Sequence, residues 1–103
     1  MPNKTALVTG ASDGIGAEFI QILASRGYDL ILVARSEDKL NQLAVKVGGL
    51  FGVNCTVIVA DLSEPNAAQN LFQSIEEKGL DVDFLINNAG LLQLHLALIG
   101  QPQ

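Results

Sequence analysis

Tryptophan is absent from these 103 residues, and cysteine, methionine, tyrosine and histidine occur once each. A lone Cys55 cannot close an internal disulfide, and one cysteine with one histidine cannot assemble a structural zinc site. Such cysteine usage predicts a cytoplasmic chain. Cations are scarce as well: 6 lysines and arginines stand against 11 acids, a net charge of -5 that repels phosphate backbones and anionic lipid. Neither nucleic acid nor a membrane surface is an expected partner. The longest apolar runs, Leu30 to Ala34 and Leu91 to Ile99, fall short of the ~20 residues that cross a bilayer. The start, Met1-Pro2-Asn3-Lys4-Thr5, lacks the apolar run and cleavage site of a secretory signal. What the chain does have is apolar content, 49% against 17% charged, which predicts one compact domain and excludes a disordered tail protein.

Two patterns alternate along it. Thr5 to Thr9, Asp29 to Ala34, Thr56 to Ala60 and Phe84 to Asn87 are continuous Val, Ile and Leu-rich runs, the signature of strands buried on both faces. Between them, Ile15, Phe19, Ile22 and Leu23 recur at helical spacing, as do Leu40, Leu43, Ala44 and Val47, and then Ala68, Leu71, Phe72 and Ile75. Gly27, Gly48 and Gly79 follow these stripes as expected left-handed stops, while Ser36 and Ser63 read as N-caps, the latter with Pro65 in its first turn. The alternation predicts an α/β fold: a Rossmann-type open parallel sheet of about four strands, order 3-2-1-4, joined by right-handed crossovers with helices on both faces. Leu91 to Gln103 break the pattern, and their alternating leucines fit a strand or a short helix.

The first strand runs into Thr9-Gly10-Ala11-Ser12-Asp13-Gly14-Ile15-Gly16, which opens the first helix. At such a turn Gly10 permits the bend, Gly14 leaves room for a diphosphate against the backbone, and Gly16 lets the helix pack close. Helix-terminal N–H groups then face the phosphates. No Gly-Lys-Ser/Thr follows, so a nucleotide-hydrolase phosphate loop is excluded.

The spacing Gly-x-x-x-Gly-Ile-Gly, with Asn87-Asn88-Ala89-Gly90 after the fourth strand and Asp61-Leu62 after the third, resembles the short-chain dehydrogenase/reductase family over residues 4 to 90. The end of the second strand reads Leu32-Val33-Ala34-Arg35-Ser36. Ala34 stands where NAD-preferring members carry an acid, and the following Arg35 resembles the NADP-preferring branch. Arg35 as a solvated surface residue is the competing reading. The resemblance implies that Asp61 accepts from the adenine amino group and Leu62 packs on that ring, against a plain capping role for Asp61. It makes Asn87 a tie between strands, and Ala89 and Gly90 a lining for the nicotinamide ribose. The expected NADP-binding residues are therefore Gly10, Ser12, Gly14, Ile15, Gly16, Arg35, Ser36, Asp61, Leu62, Asn87, Ala89 and Gly90. Lys39, one turn past Arg35, reads as an assisting cation or as a solvated charge.

The family's reaction, hydride transfer between NADPH and a carbonyl or alcohol, uses a Tyr-x-x-x-Lys pair, a Ser and an Asn on later elements. None of these motif positions is present: the sole tyrosine, Tyr28, is followed four residues on by Leu32. No catalytic residue is assigned. The chain reads as the truncated nucleotide-binding half, residues 1 to 90, with a divergent apolar tail at 91 to 103. Turnover of a small carbonyl or alcohol then requires completion by another chain. A noncatalytic NADP(H)-binding or interaction module, and a nonfunctional remnant, are the other readings. The outer edge of the fourth strand, without its usual neighbour, invites oligomerisation unless the Leu-alternating tail covers it.

Overall fold

The computed structural model describes residues 3–12 and 14–88, in the order β1 (Thr5–Thr9), α1 (Gly14–Ser25), β2 (Asp29–Ala34), α2 (Glu37–Phe51), β3 (Cys55–Val59), α3 (Ala67–Glu77) and β4 (Phe84–Asn87). The strands form one parallel sheet in the order β3-β2-β1-β4, as the alternation of elements predicts. Residue parity along each strand sorts the core into two layers. Ala6, Val8, Leu30, Leu32 and Ala34 point to the side where Ile20, Ala24, Leu40 and Val47 of α1 and α2 pack. Leu7, Ile31, Val33 and Ile58 meet Leu71 and Ile75 of α3 on the other. Helices therefore cover both faces, and the two central strands have no solvent side on which to place a polar residue.

Helix ends follow local chemistry. Ser36 caps α2, its Oγ accepting from the Lys39 N–H at 3.4 Å, and Glu37 and Asp38 place negative charge against the helix's positive end. Gly27 and Gly79 take positive φ just past α1 and α3. In each case two backbone bonds close the last turn: Gly27 N–H to Ala24 and Tyr28 N–H to Leu23, then Gly79 N–H to Glu76 and Leu80 N–H to Ile75. This is the Schellman arrangement.

Four expectations need correction. Gly48 does not stop α2. The helix runs on to Phe51, where Gly52 at φ 70 supplies the left-handed residue and donates to the Gly48 carbonyl. Gly48 instead gives α2 close passage over the chain entering β3, since a Cβ there would stand 3.2 Å from the Val53 carbonyl oxygen. Ser63 is not the cap of α3: Asn66, at φ 64, occupies that position without a side-chain cap bond, and Ser63 turns back onto Asp61. The third strand starts at Cys55 rather than Thr56, because Cys55 already pairs with Leu30, and it ends one residue earlier, at Val59. The stripe Ile15, Phe19 and Ile22 is also not the core face of α1. The buried face is Gly16, Ile20 and Ala24, and the former three are 63%, 40% and 51% exposed. With apolar residues around most of its circumference, α1 has no single stripe by which periodicity can choose the buried side.

Candidate nucleotide-binding cleft

The carboxyl ends of β1, β2 and β3 open into a cleft of about 680 Å³, lined by Gly10, Ser12, Val33, Ala34, Arg35, Ser36, Lys39, Ala60, Asp61, Leu62, Ser63 and Asn88. Three separate turns, after β1, β2 and β3, thus meet at one place. In open α/β sheets this is where ligands bind.

The first turn is built around Gly10 and Gly16. Gly10 sits at φ 65, a conformation that costs a residue with a Cβ. Its carbonyl oxygen lies where a Cβ on Gly16 would have to be, so only glycine lets α1 begin this close to β1. The Asn88 side chain reinforces the contact, its Nδ2 donating to the same Gly10 oxygen at 3.2 Å. From the other side the Ala11 N–H donates to the Val33 carbonyl at 3.1 Å, tying the turn across the end of β2. Gly14 differs from Gly16 in kind: a Cβ there would meet nothing within 4 Å. Protein packing does not require glycine at that position, which leaves its open side available to a ligand.

The second turn supplies charge. Arg35, Glu37, Asp38 and Lys39 are all charged and exposed, yet of the four only the two cations line the cleft, with the Ser36 hydroxyl between them. In a chain of net charge -5 this is a local reversal of sign suited to an anion.

The third turn holds Asp61 in a defined state. Ser63 donates to Asp61 Oδ1 twice, from Oγ at 2.6 Å and from its backbone N–H at 3.0 Å. These two bonds, with a smaller contribution from the Arg35 guanidinium, hold the Asp61 carboxyl below the usual carboxylate range. Asp61 is therefore an ionised acceptor at neutral pH. It does not cap α3.

Of the residues expected from sequence, Gly10, Ser12, Arg35, Ser36, Asp61 and Leu62 line the cleft together. Gly14 and Ile15 lie exposed at the start of α1, and Gly16 is buried beneath Gly10. Asn87 ends β4 away from the cleft lining and accepts from the fully buried Thr9 hydroxyl at 2.9 Å, a tie between β4 and β1. Ala89, Gly90 and the 91–103 segment lie outside the described residues. Six lining residues stand outside the expected set, Val33, Ala34, Lys39, Ala60, Ser63 and Asn88, and of these Asn88 and Ser63 bond to other residues of the cleft wall. Asn88 shares a dipeptide with Asn87, and only its long-range bond to Gly10 distinguishes it. For Ser63 the Asp-x-Ser spacing was a usable signal, since such a hydroxyl can turn back onto the carboxylate two residues before it.

Comparison with known proteins agrees with this geometry. The profile of the short chain dehydrogenase family matches residues 4–100. A very-long-chain 3-oxoacyl-CoA reductase of Phaeosphaeria nodorum is 43% identical over 90 residues, covering 84% of this chain and 26% of that protein. Among solved structures, a short-chain dehydrogenase from Sphingobium yanoikuyae in complex with NADPH superposes with a TM-score of 0.76 at 40% identity, over 85% of this chain and 34% of that one. L-sorbose reductase from Gluconobacter frateurii, complexed with NADPH and L-sorbose, gives a TM-score of 0.79 at 32% identity, over 88% and 35% respectively. The chain thus spans about a quarter of the length of the curated relative and about a third of the two solved chains. With its parallel 3-2-1-4 sheet and a family profile matching nearly all of its length, the chain belongs to the short-chain dehydrogenase/reductase family.

Proposed function

We propose that this chain is the NADP(H)-binding portion of a short-chain reductase, and that Arg35 selects the phosphorylated dinucleotide. The observation that carries this reading is the convergence of the three turns on one cleft whose cationic residues, Arg35 and Lys39, both belong to the end of β2 and the start of α2. The ribose next to that segment is the one that bears the 2′-phosphate in NADP. The residues fit the cofactor: Gly14 leaves the start of α1 open where a diphosphate approaches, and no carboxylate stands at Ala34 to repel a phosphate. Asp61 and Leu62 receive the adenine, while Ala89 and Gly90 are assigned to the nicotinamide ribose. The NADPH complexes of the Sphingobium and Gluconobacter proteins support the same assignment.

When bound, NADPH supplies a hydride for a carbonyl substrate. This chain's own part is to hold the dinucleotide, orient it through the three turns and discriminate the phosphate. Proton transfer and substrate binding fall to groups beyond residues 1–90, since no Tyr-x-x-x-Lys pair occurs here. We assign residues 1–90 to the binding unit; the family profile runs on to residue 100, into the segment read as an apolar tail. We also assign the chain to the cytoplasm, on its single cysteine, and infer that the edge of β4 left unpaired among the described residues accepts another polypeptide or a second copy. Among the described residues no helix is long and apolar enough to cross a membrane.

Calorimetric titration of the purified chain with NADPH and then NADH at fixed salt tests the reading. A guanidinium bonded to a phosphate favours NADPH by roughly ten- to a hundredfold, and Arg35→Ala is expected to erase most of that preference while leaving the circular dichroism spectrum intact. An Arg35→Ala variant that discriminates as well as the parent assigns the preference to other residues. A folded parent with no affinity for either nucleotide ends the proposal.

A further inference from the structure

The adenine end of the cleft holds an arrangement that neither helix capping nor the cofactor reading requires. Ser63 stands four residues ahead of the start of α3, and both of its donors go to a single atom, Oδ1 of Asp61. A carboxylate oxygen accepts through two lone pairs, so these two bonds occupy Oδ1. Among the described residues nothing donates to Oδ2. The Glu64 N–H donates to the Asp61 carbonyl at 3.1 Å, which closes the turn and holds Ser63 in place beneath the carboxylate. Asp61 is thus restrained from side chain and backbone alike, with one oxygen occupied and one available. Ser63 itself lines the cleft beside Asp61 and Leu62.

We propose that Ser63 is a positioning residue: by occupying Oδ1 it fixes the Asp61 carboxylate so that Oδ2 alone reads the exocyclic amine of the bound purine. The cleft then distinguishes a 6-amino purine, which donates to Oδ2, from a 6-oxo purine, which presents an oxygen to a carboxylate and is repelled. This inference rests on the cofactor reading above and adds to it a requirement on the base. It also implies that binding depends on Asp61 being ionised, and that Ser63, with a smaller share from the Arg35 guanidinium in the same cleft, keeps it so toward low pH.

The test compares NADPH with its hypoxanthine analogue on the parent chain, Ser63→Ala and Ser63→Thr, alongside the NMR titration of the Asp61 carboxyl carbon in each. The cost of re-ordering a freed carboxylate on binding predicts that Ser63→Ala weakens NADPH by about two- to tenfold and the hypoxanthine analogue by less than about twofold. Ser63→Thr, which keeps the hydroxyl, restores NADPH affinity. The Asp61 titration rises toward the ordinary carboxylate range in Ser63→Ala, and the acidic limb of NADPH binding moves up with it. Equal losses for both nucleotides, or an Asp61 titration unchanged by Ser63→Ala, overturn the positioning role while the cofactor reading stands. A parent that binds NADPH and the analogue equally removes the base discrimination. A parent that binds neither overturns the cofactor reading, and the role of Ser63 with it.

Discussion

The centre of the sheet and its edges are finished to different degrees. At the centre, the paired strands β1 and β2 are buried along nearly their whole length, and two helices seal one face against them. At the edges, β3 leaves Val59 47% exposed and β4 leaves Phe84 45% exposed, while α1 presents Ile15, Phe19 and Ile22 to solvent. Phe84 finds only partial cover there, from the edge of Tyr28 at 5.5 Å and the Lys4 ammonium 6.0 Å from its ring centre. The cleft opens at the carboxyl ends of these central strands and of β3. The proposed nucleotide site and the surfaces open to further polypeptide thus lie on different parts of the same small sheet.

This contrast is best broken by mutation in each region. Leu32 is fully buried, and Leu32→Ala is expected to cost about 2–5 kcal/mol in denaturant unfolding. Ile22→Ala, on the exposed stripe of α1, should stay within about 0.5 kcal/mol. Similar losses at the two sites would mean that the α1 stripe is covered in solution. A smaller effect separates the two glycines of the first turn. Gly16→Ala forces a Cβ onto the Gly10 carbonyl and should cost about 1–3 kcal/mol, with NADPH binding lost in step. Gly14→Ala meets no protein atom, so stability should move by less than about 0.5 kcal/mol. Its NADPH affinity should nonetheless fall about tenfold, because the space it fills is the ligand's. Unaltered affinity in Gly14→Ala would place the diphosphate elsewhere.

The smallest expected effect concerns Cys55, the first residue of β3. Burial, and secondarily the Asp29 carboxylate, push its thiol above the ordinary range. Less thiolate is present at pH 8 than in the unfolded chain, so alkylation of the native protein should be slower than that of the urea-unfolded protein. Equal rates would show that the β3 end of the sheet opens freely.

Much of this architecture could be read from the residues. The apolar runs of β1 and β2 coincide with the observed strands, because strands buried on both faces admit no polar interruption that would blur their ends, and the short run of β4 coincides as well. Ser36 was legible for the opposite reason, as a polar residue placed between an apolar run and an acidic first turn. The errors share a cause, since each depended on a contact distant in space or on a choice between equivalent partners. Gly48 resembles a stop until Val53 is seen beneath it, and Gly52 offers a left-handed site four residues later. Ser63 has a hydroxyl fit to cap α3, but Asp61 is nearer and charged. The α1 stripe failed because the helix is apolar on two sides. The convergence of Gly10, Arg35 and Asp61 was legible from their shared position after strands, whereas the Asn88 bond to Gly10 spans 78 residues and leaves no local trace.

The Thr9 to Asn87 bond joins positions 78 residues apart, and β1 pairs with β4 across the same interval. During synthesis at 5–20 residues per second, β1 therefore waits roughly 4 to 16 s for the strand that covers its second edge. Pairing of β1 with β2 is possible within the first third of the chain, while that with β4 must await residues 84–87. An apolar strand with one open edge for seconds is a substrate for holding factors, and the buried Thr9 hydroxyl has no Asn87 to meet until that interval ends.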